Sequence, residues 1–261
     1  MSDKLQLQVD ARGVATVTLD NPEQHNAFDD QLIAALKECF DRLAADSAVR
    51  VVVLAATGKS FSAGADLGYM QKMAGYSHAD NQRDAEQLAA MLAALNNLPM
   101  PTIAAVQGAA FGGAVGLVSC CDMAVASERA SFCLSEVKLG LIPATISPYV
   151  LRAIGERAAR RYFTTAERFS AATAAQLGLV SHVVADHELA ASCAQLVETL
   201  LGNGPQALRA AKALVLDYAG QPIDAALIRD SSERIARLRV SAEGQEGLAA
   251  FFAKRPPRWQ Q

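Results

Sequence analysis

The sequence predicts an α/β protein whose layered core passes into a C-terminal helical module. Three observations carry this expectation: short apolar runs of strand length, stripes of helical period between them, and a final third in which strands largely stop. Leu5, Leu7 and Val9 alternate with polar residues, Arg12-Gly13 supplies a turn, and Val14 to Leu19 forms a second β-rich run, so the chain starts as a hairpin. The period then changes. Asp29 or Asp30 can cap a helix that places Leu32, Ile33, Leu36, Phe40 and Leu43 on one face, and a short apolar strand follows over Val51 to Ala56. A second helix carries Leu88, Met91, Leu92 and Leu95 and ends near Asn96-Asn97; Pro99 and Pro101 separate it from a strand over Thr102 to Val106. Another strand is expected from Asp122 to Ala126. After Gly178-Leu179-Val180 three helical segments follow, broken at Gly202-Asn203-Gly204-Pro205 and at Gly220-Gln221-Pro222. The stripe Ile223, Leu227, Ile228, Ile235 and Leu238 can face the core or another subunit.

The 261 residues are 51% hydrophobic, enough to bury a core without disulfides or metal. With 24 basic against 27 acidic side chains, the net charge of -3 argues against a phosphate-neutralising surface and hence against nucleic acid as partner. Arg157, Arg160 and Arg161 beside Tyr162 read as a solvated helix face. No apolar run approaches the roughly 18 residues of a membrane span, and Met1-Ser2-Asp3-Lys4 lacks the order of a signal peptide, so a cytoplasmic protein is expected. Cys39, Cys120, Cys121, Cys133 and Cys193 show no CxxC spacing and read as buried thiols. The four histidines are scattered, which leaves no pattern for a metal.

Two stretches crowd small residues where a strand hands over to a helix: Ser60-Phe61-Ser62-Ala63-Gly64-Ala65-Asp66-Leu67, and Gln107 to Leu117 with its core Phe111-Gly112-Gly113-Ala114. Small residues let a ligand approach the backbone, and amides at a helix start point outward as anion donors. The plainer reading is close packing of tight connections. The full phosphate-loop pattern, GxGxxG and GxSxG are all absent, which removes phosphate-loop, dinucleotide and serine-nucleophile chemistry. In a third stretch, Ser131 to Pro143, Glu136 is the single carboxylate in an otherwise apolar run. It is either a solvated loop residue or an acid with a raised pKa.

Together these segments resemble the crotonase family, the enoyl-CoA hydratase/isomerases. The resemblance runs from Asp20-Asn21-Pro22-Glu23-Gln24-His25-Asn26-Ala27 to Lys254-Arg255. Phe111-Gly112-Gly113-Ala114-Val115-Gly116-Leu117, Cys120-Cys121-Asp122, Leu134-Ser135-Glu136-Val137 and Gly140-Leu141-Ile142-Pro143-Ala144 are most similar to bacterial hydratases of 3-methyl- and isohexenylglutaconyl-CoA, of leucine and acyclic terpene breakdown.

The resemblance implies a crotonase fold, a superhelix of ββα units over residues 1–195, followed by a helical oligomerisation module over 196–261. It implies peptide N–H groups of Ala65 and Gly113 as donors to a thioester oxygen, and Glu136 as the acid/base at the substrate α-carbon. The family's second hydratase glutamate is matched by Gly116. One hypothesis is that this glycine makes room for the branch or distal carboxylate of the acyl group. CoA contacts fall on Gln24, His25, Ala27, Ala63, Asp66 and Leu67. A lysine expected two residues after Asp66 is Gly68, which leaves Lys254 and Arg255 as candidates for a CoA phosphate. The implied partner is an acyl-CoA thioester, with no cofactor beyond the CoA of the substrate, in a homotrimer or dimer of trimers. An enoyl-CoA isomerase with one glutamate and a non-catalytic acyl-CoA-binding relative are the competing expectations.

Overall fold

A computed structural model describes residues 3–260; Met1 and Ser2 of the polar start, and Gln261, lie outside the described residues. Strand β1 (Leu5–Val9) pairs antiparallel with β2 (Val14–Leu19), Leu5 opposite Leu19. Gly13, at φ +81°, turns the hairpin where any Cβ would run into the Ala48 carbonyl. Helix α1 (Asp30–Ala45) starts at an Asp29 cap, whose carboxylate accepts from the Leu32 amide at 2.8 Å, and it buries the stripe read from the sequence. Then come β3 (Val51–Ala56), β4 (Ser60–Ser62), α2 (Leu67–Met73), α3 (His78–Asn96), β5 (Thr102–Val106), β6 (Ala109–Phe111), α4 (Gly113–Cys120), β7 (Met123–Ser127) and β8 (Ser131–Cys133). Helix α5 (Ser147–Thr165), kinked at Gly155, leads to β9 (Phe169–Ser170), α6 (Ala171–Leu177) and β10 (His182–Val184).

The strands form two sheets. The larger is ordered β1-β2-β3-β5-β7-β10 and is parallel beyond the first hairpin; the smaller is ordered β4-β6-β8-β9. Parallel neighbours need crossovers, and these are supplied by the α1, α3, α4 and α6 segments. One face of the large sheet packs on α1, α3 and α4 around Leu36, Phe40, Leu92 and Leu117, all fully buried. Helix α7 (Leu189–Leu201) covers part of the other face through Leu189, Cys193 and Val197. Residue 195 therefore falls inside a helix packed on the sheet, and the chain leaves the core at Gly202.

Three differences from the sequence expectation have plain causes. β7 starts one residue later than expected because the Asp122 side chain accepts from the Thr102 amide and hydroxyl, closing the turn before it. β4, β6 and β8 are three residues each, too short to show a period. The last helical segment is two helices, α9 (Ala225–Val240) and α10 (Ala242–Phe252), because Ser241 leaves the helical region and caps α10 through its hydroxyl. Most of the tail stripe stays exposed, Ile223, Ile228 and Ile235 included. The five cysteines are free thiols, four of them buried. Arg160 and Arg161 pair with Glu156 and Glu167 on an exposed helix face. Among the described residues no helix is long and apolar enough to cross a membrane.

Charged anchors tie the tail to the core. On α8 (Pro205–Tyr218), Lys212 Nζ lies 2.7 Å from Asp122 Oδ2 and 3.2 Å from the Met100 carbonyl, and Arg209 donates to the Val49 carbonyl at 2.8 Å. The Arg50 guanidinium donates to the carbonyls of Leu201, Asn203 and Trp259. The Lys212 side chain is 7% exposed and that of Asp122 28%, so removing the lysine charge takes from Asp122 a partner that water replaces only in part. Lys212→Met is therefore expected to lower the unfolding free energy by about 2 kcal/mol, because Asp122 keeps some water contact. Urea denaturation of native and variant chains measures it.

Candidate active site

β4 and β6 are parallel neighbours with Ser62 opposite Ala110. Ala65 lies three residues beyond the first and Gly113 three beyond the second, so these amides occupy matching positions where two adjacent strands turn into α2 and α4. Phe28 touches both. Its amide donates to the Gly64 carbonyl at 2.7 Å and its carbonyl accepts from the Asp66 amide at 2.8 Å. Strand alternation then turns the intervening Ala65 N–H to the opposite side. The Phe28 ring packs 3.2 Å from where a Gly113 Cβ would stand. Gly113 is the first residue of α4, so its N–H has no intrahelical acceptor.

Gly112, the residue before α4, has φ +53°, and its N–H donates to the Cys133 carbonyl at 2.8 Å. That bond stitches the helix entry to the end of β8. Three residues further on, Glu136 opens a single 3-10 turn, Glu136–Leu139, closed by Gly140 at φ +71°. Its Oε1 lies 3.2 Å from the Cβ that Gly112 lacks, so a side chain there would meet both backbone strain and the carboxylate. Oε2 is buried without a hydrogen-bond partner. Burial pushes the Glu136 carboxyl above its ordinary range, opposed only by its own amide.

The loop before α1 is held by a residue that sequence reasoning left without a role. Asn26, at φ +54°, is buried; its amide group donates to the Thr57 and Ser60 carbonyls at 2.8 and 2.9 Å, and its oxygen accepts from the Asn21 amide. The signal was an asparagine in a turn, a residue that tolerates the left-handed region. Its neighbour His25 is exposed, with Nδ1 3.2 Å from Ser60 Oγ, and its carbonyl accepts from the Ala63 amide at 3.0 Å. Ala27 is buried, Gln24 is exposed, and Ala63, Ala65 and Leu67 are open to solvent beside them. The Asp66 side chain caps α2 by accepting from the Tyr69 amide at 3.0 Å, and its carbonyl accepts from the Met70 amide at 2.8 Å.

Two expectations are corrected. No room exists at Gly116: a Cβ there would lie 2.9 Å from Ile146 Cβ and closer still to its Cγ2, with Leu92 at 3.4 Å. The glycine admits Ile146, not an acyl branch. Arg255 is held by Glu246 through both guanidinium nitrogens, at 2.7 and 3.0 Å, so it is not a free phosphate ligand. Lys254, beyond the end of α10, is exposed. A cavity of about 570 Å³ opens elsewhere, between the outer sheet face and α7, lined by Thr16, Val53, Ala105, Cys193 and Val197; Glu136, Ala65 and Gly113 do not border it. Among the described residues no cluster of three or more His, Cys, Asp or Glu could hold a metal ion.

The enoyl-CoA hydratase/isomerase family profile matches residues 10–261. The chain belongs to that family. It superposes on an enoyl-CoA hydratase of Shewanella pealeana with a TM-score of 0.94 at 48% identity, covering 98% of this chain and 96% of the other. An enoyl-CoA hydratase of Alternaria alternata is 33% identical over 95% of this chain and 82% of its own length. A mitochondrial Delta(3,5)-Delta(2,4)-dienoyl-CoA isomerase of Dictyostelium discoideum is 31% identical over 95% and 88%. The fold is that of crotonases, as the sequence resemblance implied.

Glu136 offers a stability test with a definite sign. Its folded pKa lies above the ordinary 4.5, so it costs nothing below that value and destabilises progressively as pH rises through the raised pKa. Glu136→Gln is expected to be more stable than the native chain at pH 8 and to lose that advantage at pH 4, as read by thermal denaturation at both. Gly116→Glu is expected to lose about 2 kcal/mol or more through overpacking against Ile146, with partial recovery on adding Ile146→Ala, read by urea titration.

Proposed function

We propose that the chain hydrates the double bond of a 3-substituted glutaconyl-CoA, with the Ala65 and Gly113 amides as oxyanion donors and Glu136 as the acid/base. The observation that carries the chemistry is the buried, unpartnered Glu136 oxygen beside the Gly112-Gly113 helix entry. Water addition to a double bond conjugated to a thioester develops negative charge on the thioester oxygen as an enolate. Fixed backbone donors stabilise that charge more in the transition state than in the ground state. Glu136, neutral at little cost in its dry site, gives a proton to the α-carbon and takes one from water in the same cycle. CoA lies along Gln24, His25 and Ala27 and along Ala63, Asp66 and Leu67, of which Gln24, His25, Ala63 and Leu67 are exposed, and Lys254 is the remaining candidate for a phosphate. The substrate's 3-substituted glutaconyl identity is supported by the motifs around Phe111, Cys120-Cys121, Glu136 and Gly140-Ala144.

A second reading is favoured by Ile146, which occupies the volume beside Gly116 and keeps a second carboxylate off that face of α4. One carboxylate suffices for a 1,3-proton shift, so the same site supports an enoyl-CoA isomerase. We also propose a homotrimer or dimer of trimers, supported by the exposed Ile223, Val240, Phe251 and Phe252 on the tail.

Loss of the conjugated thioester absorbance together with the mass of added water identifies hydration; migration of the double bond without added mass identifies isomerisation. On 3-methylglutaconyl-CoA, Glu136→Gln is expected to lower kcat by at least about 100-fold. Gly113→Ala and Gly113→Pro bring similar bulk to a first helical position that tolerates proline, but only the proline lacks the N–H. The proline variant is expected to fall roughly 100- to 1,000-fold below the alanine variant in kcat.

A further inference from the structure

The small sheet buries one face and leaves much of the other open. Ala110 of β6 and Phe132 of β8 lie in the core, so strand alternation turns Phe111 and Cys133, which pair with each other, to the far face. Between β8 and β9, Ser131 stands opposite Ser170 and Phe132 opposite Phe169, so one step further sets Arg168 opposite Cys133. Phe169 is buried against Phe132, which turns Arg168 to the far face as well. On the other side of β6, Ser62 stands opposite Ala110, and one step further sets Ala63 beside Phe111. Ala63, Phe111, Cys133 and Arg168 thus form one row across the four strands.

The Arg168 guanidinium sits 4.7 Å from the centre of the Phe111 ring. Two strand spacings, about 10 Å, separate the backbones of these residues, so the side chain lies back across Cys133 to reach the ring. Its charge is carried from β9 to the strand next to Ala63. Arg168 is exposed and forms no ion pair among the described residues; the neighbouring Glu167 is held by Arg161. The ring orients the guanidinium without offering it an oxygen, so its N–H fork stays available to an anion. Burial raises the Cys133 thiol, and the charges of Lys138 and Arg168 oppose that, which places a second cation near the row. The adjoining row on this face, Ser60, Ala109, Ser131 and Ser170, carries only small side chains. Glu136 responds to burial and its own amide and not to Arg168, so the guanidinium stands apart from the proton transfer.

We propose that Arg168, braced on Phe111, binds a phosphate of the CoA nucleotide. This rests on the enoyl-CoA reading above, in which CoA passes the exposed Ala63 at the other end of the row, and it adds a cation to Lys254. A guanidinium meets two phosphate oxygens at once through parallel N–H donors. Bracing on the ring removes side-chain freedom before the ligand arrives, so less is lost on binding. The nucleotide takes no part in the reaction, so the contact holds ground state and transition state alike and shows in affinity, not in kcat.

The test titrates three unreactive thioesters, butyryl-CoA, its 3′-dephospho form and butyryl-pantetheine, into the native chain, Arg168→Gln and Arg168→Ala. Calorimetry gives Kd for the CoA esters, and displacement of butyryl-CoA gives it for the pantetheine ester, which has no nucleotide. Both variants are expected to weaken butyryl-CoA tenfold or more and to leave butyryl-pantetheine unchanged. Loss of that difference on the 3′-dephospho ester assigns the contact to the 3′-phosphate, and its retention assigns the contact to the diphosphate. An unchanged Kd for butyryl-CoA in a variant that melts as a folded protein overturns the proposal and leaves Arg168 a solvated side chain. Equal weakening of butyryl-CoA and butyryl-pantetheine also overturns it, since the arginine would then act through the fold. If one variant fails to fold, the other decides by the same comparison. Failure of the native chain to bind butyryl-CoA overturns the enoyl-CoA reading and this proposal together, whereas native binding with an unchanged variant overturns this proposal alone.

Discussion

The site depends on one backbone constraint: two peptide N–H groups from different strands must arrive at matching positions with no acceptor of their own. The small sheet meets it by pairing β4 with β6 in parallel and ending both in a helix start, so that Ala65 and Gly113 leave the sheet in equivalent places. Phe28 fixes the offset between them, bonding on either side of Ala65 and packing its ring beneath Gly113. Gly112 supplies the left-handed step that lets the chain turn into α4, and its own amide is tied to β8. In the proposed reading amide placement is the whole of the contribution, so these residues matter through backbone position.

Glu136 is the counterpart of that constraint. A carboxyl with one oxygen buried and unpartnered is destabilising when ionised, and this one opens a turn closed by Gly140. The same burial that raises its pKa is the source of the stability cost, and in the proposed reading of the chemical use as well. Along the same face of α4, the space at Gly116 is filled by Ile146 rather than by a second acid.

Much of this was legible in the residues. Long stripes such as Leu32 to Leu43 and apolar runs such as Val51 to Ala56 specify their elements locally, because period and burial coincide. The Gly-rich handovers and the lone glutamate stood out because their residue types conflict with the packing around them. The tail anchors were not legible. Lys212 meets Asp122 across 90 residues of chain and Arg50 meets the Leu201 carbonyl across 151, and nothing local to either residue marks a partner so distant. Asn26 and Ile146 were passed over for the same reason: each acts through backbone or space supplied by another element.

The sequence by itself determined the family, the layered α/β class and the residue types at the proposed oxyanion and acid positions. These follow from local period, from glycines that only certain backbones require, and from motif order. Tertiary structure alone decided what fills the space at Gly116, which charges the tail spends on the core, and that Arg168 lies over the Phe111 ring. Those outcomes depend on which atoms occupy a shared volume once the strands are in register, and no single segment carries that information.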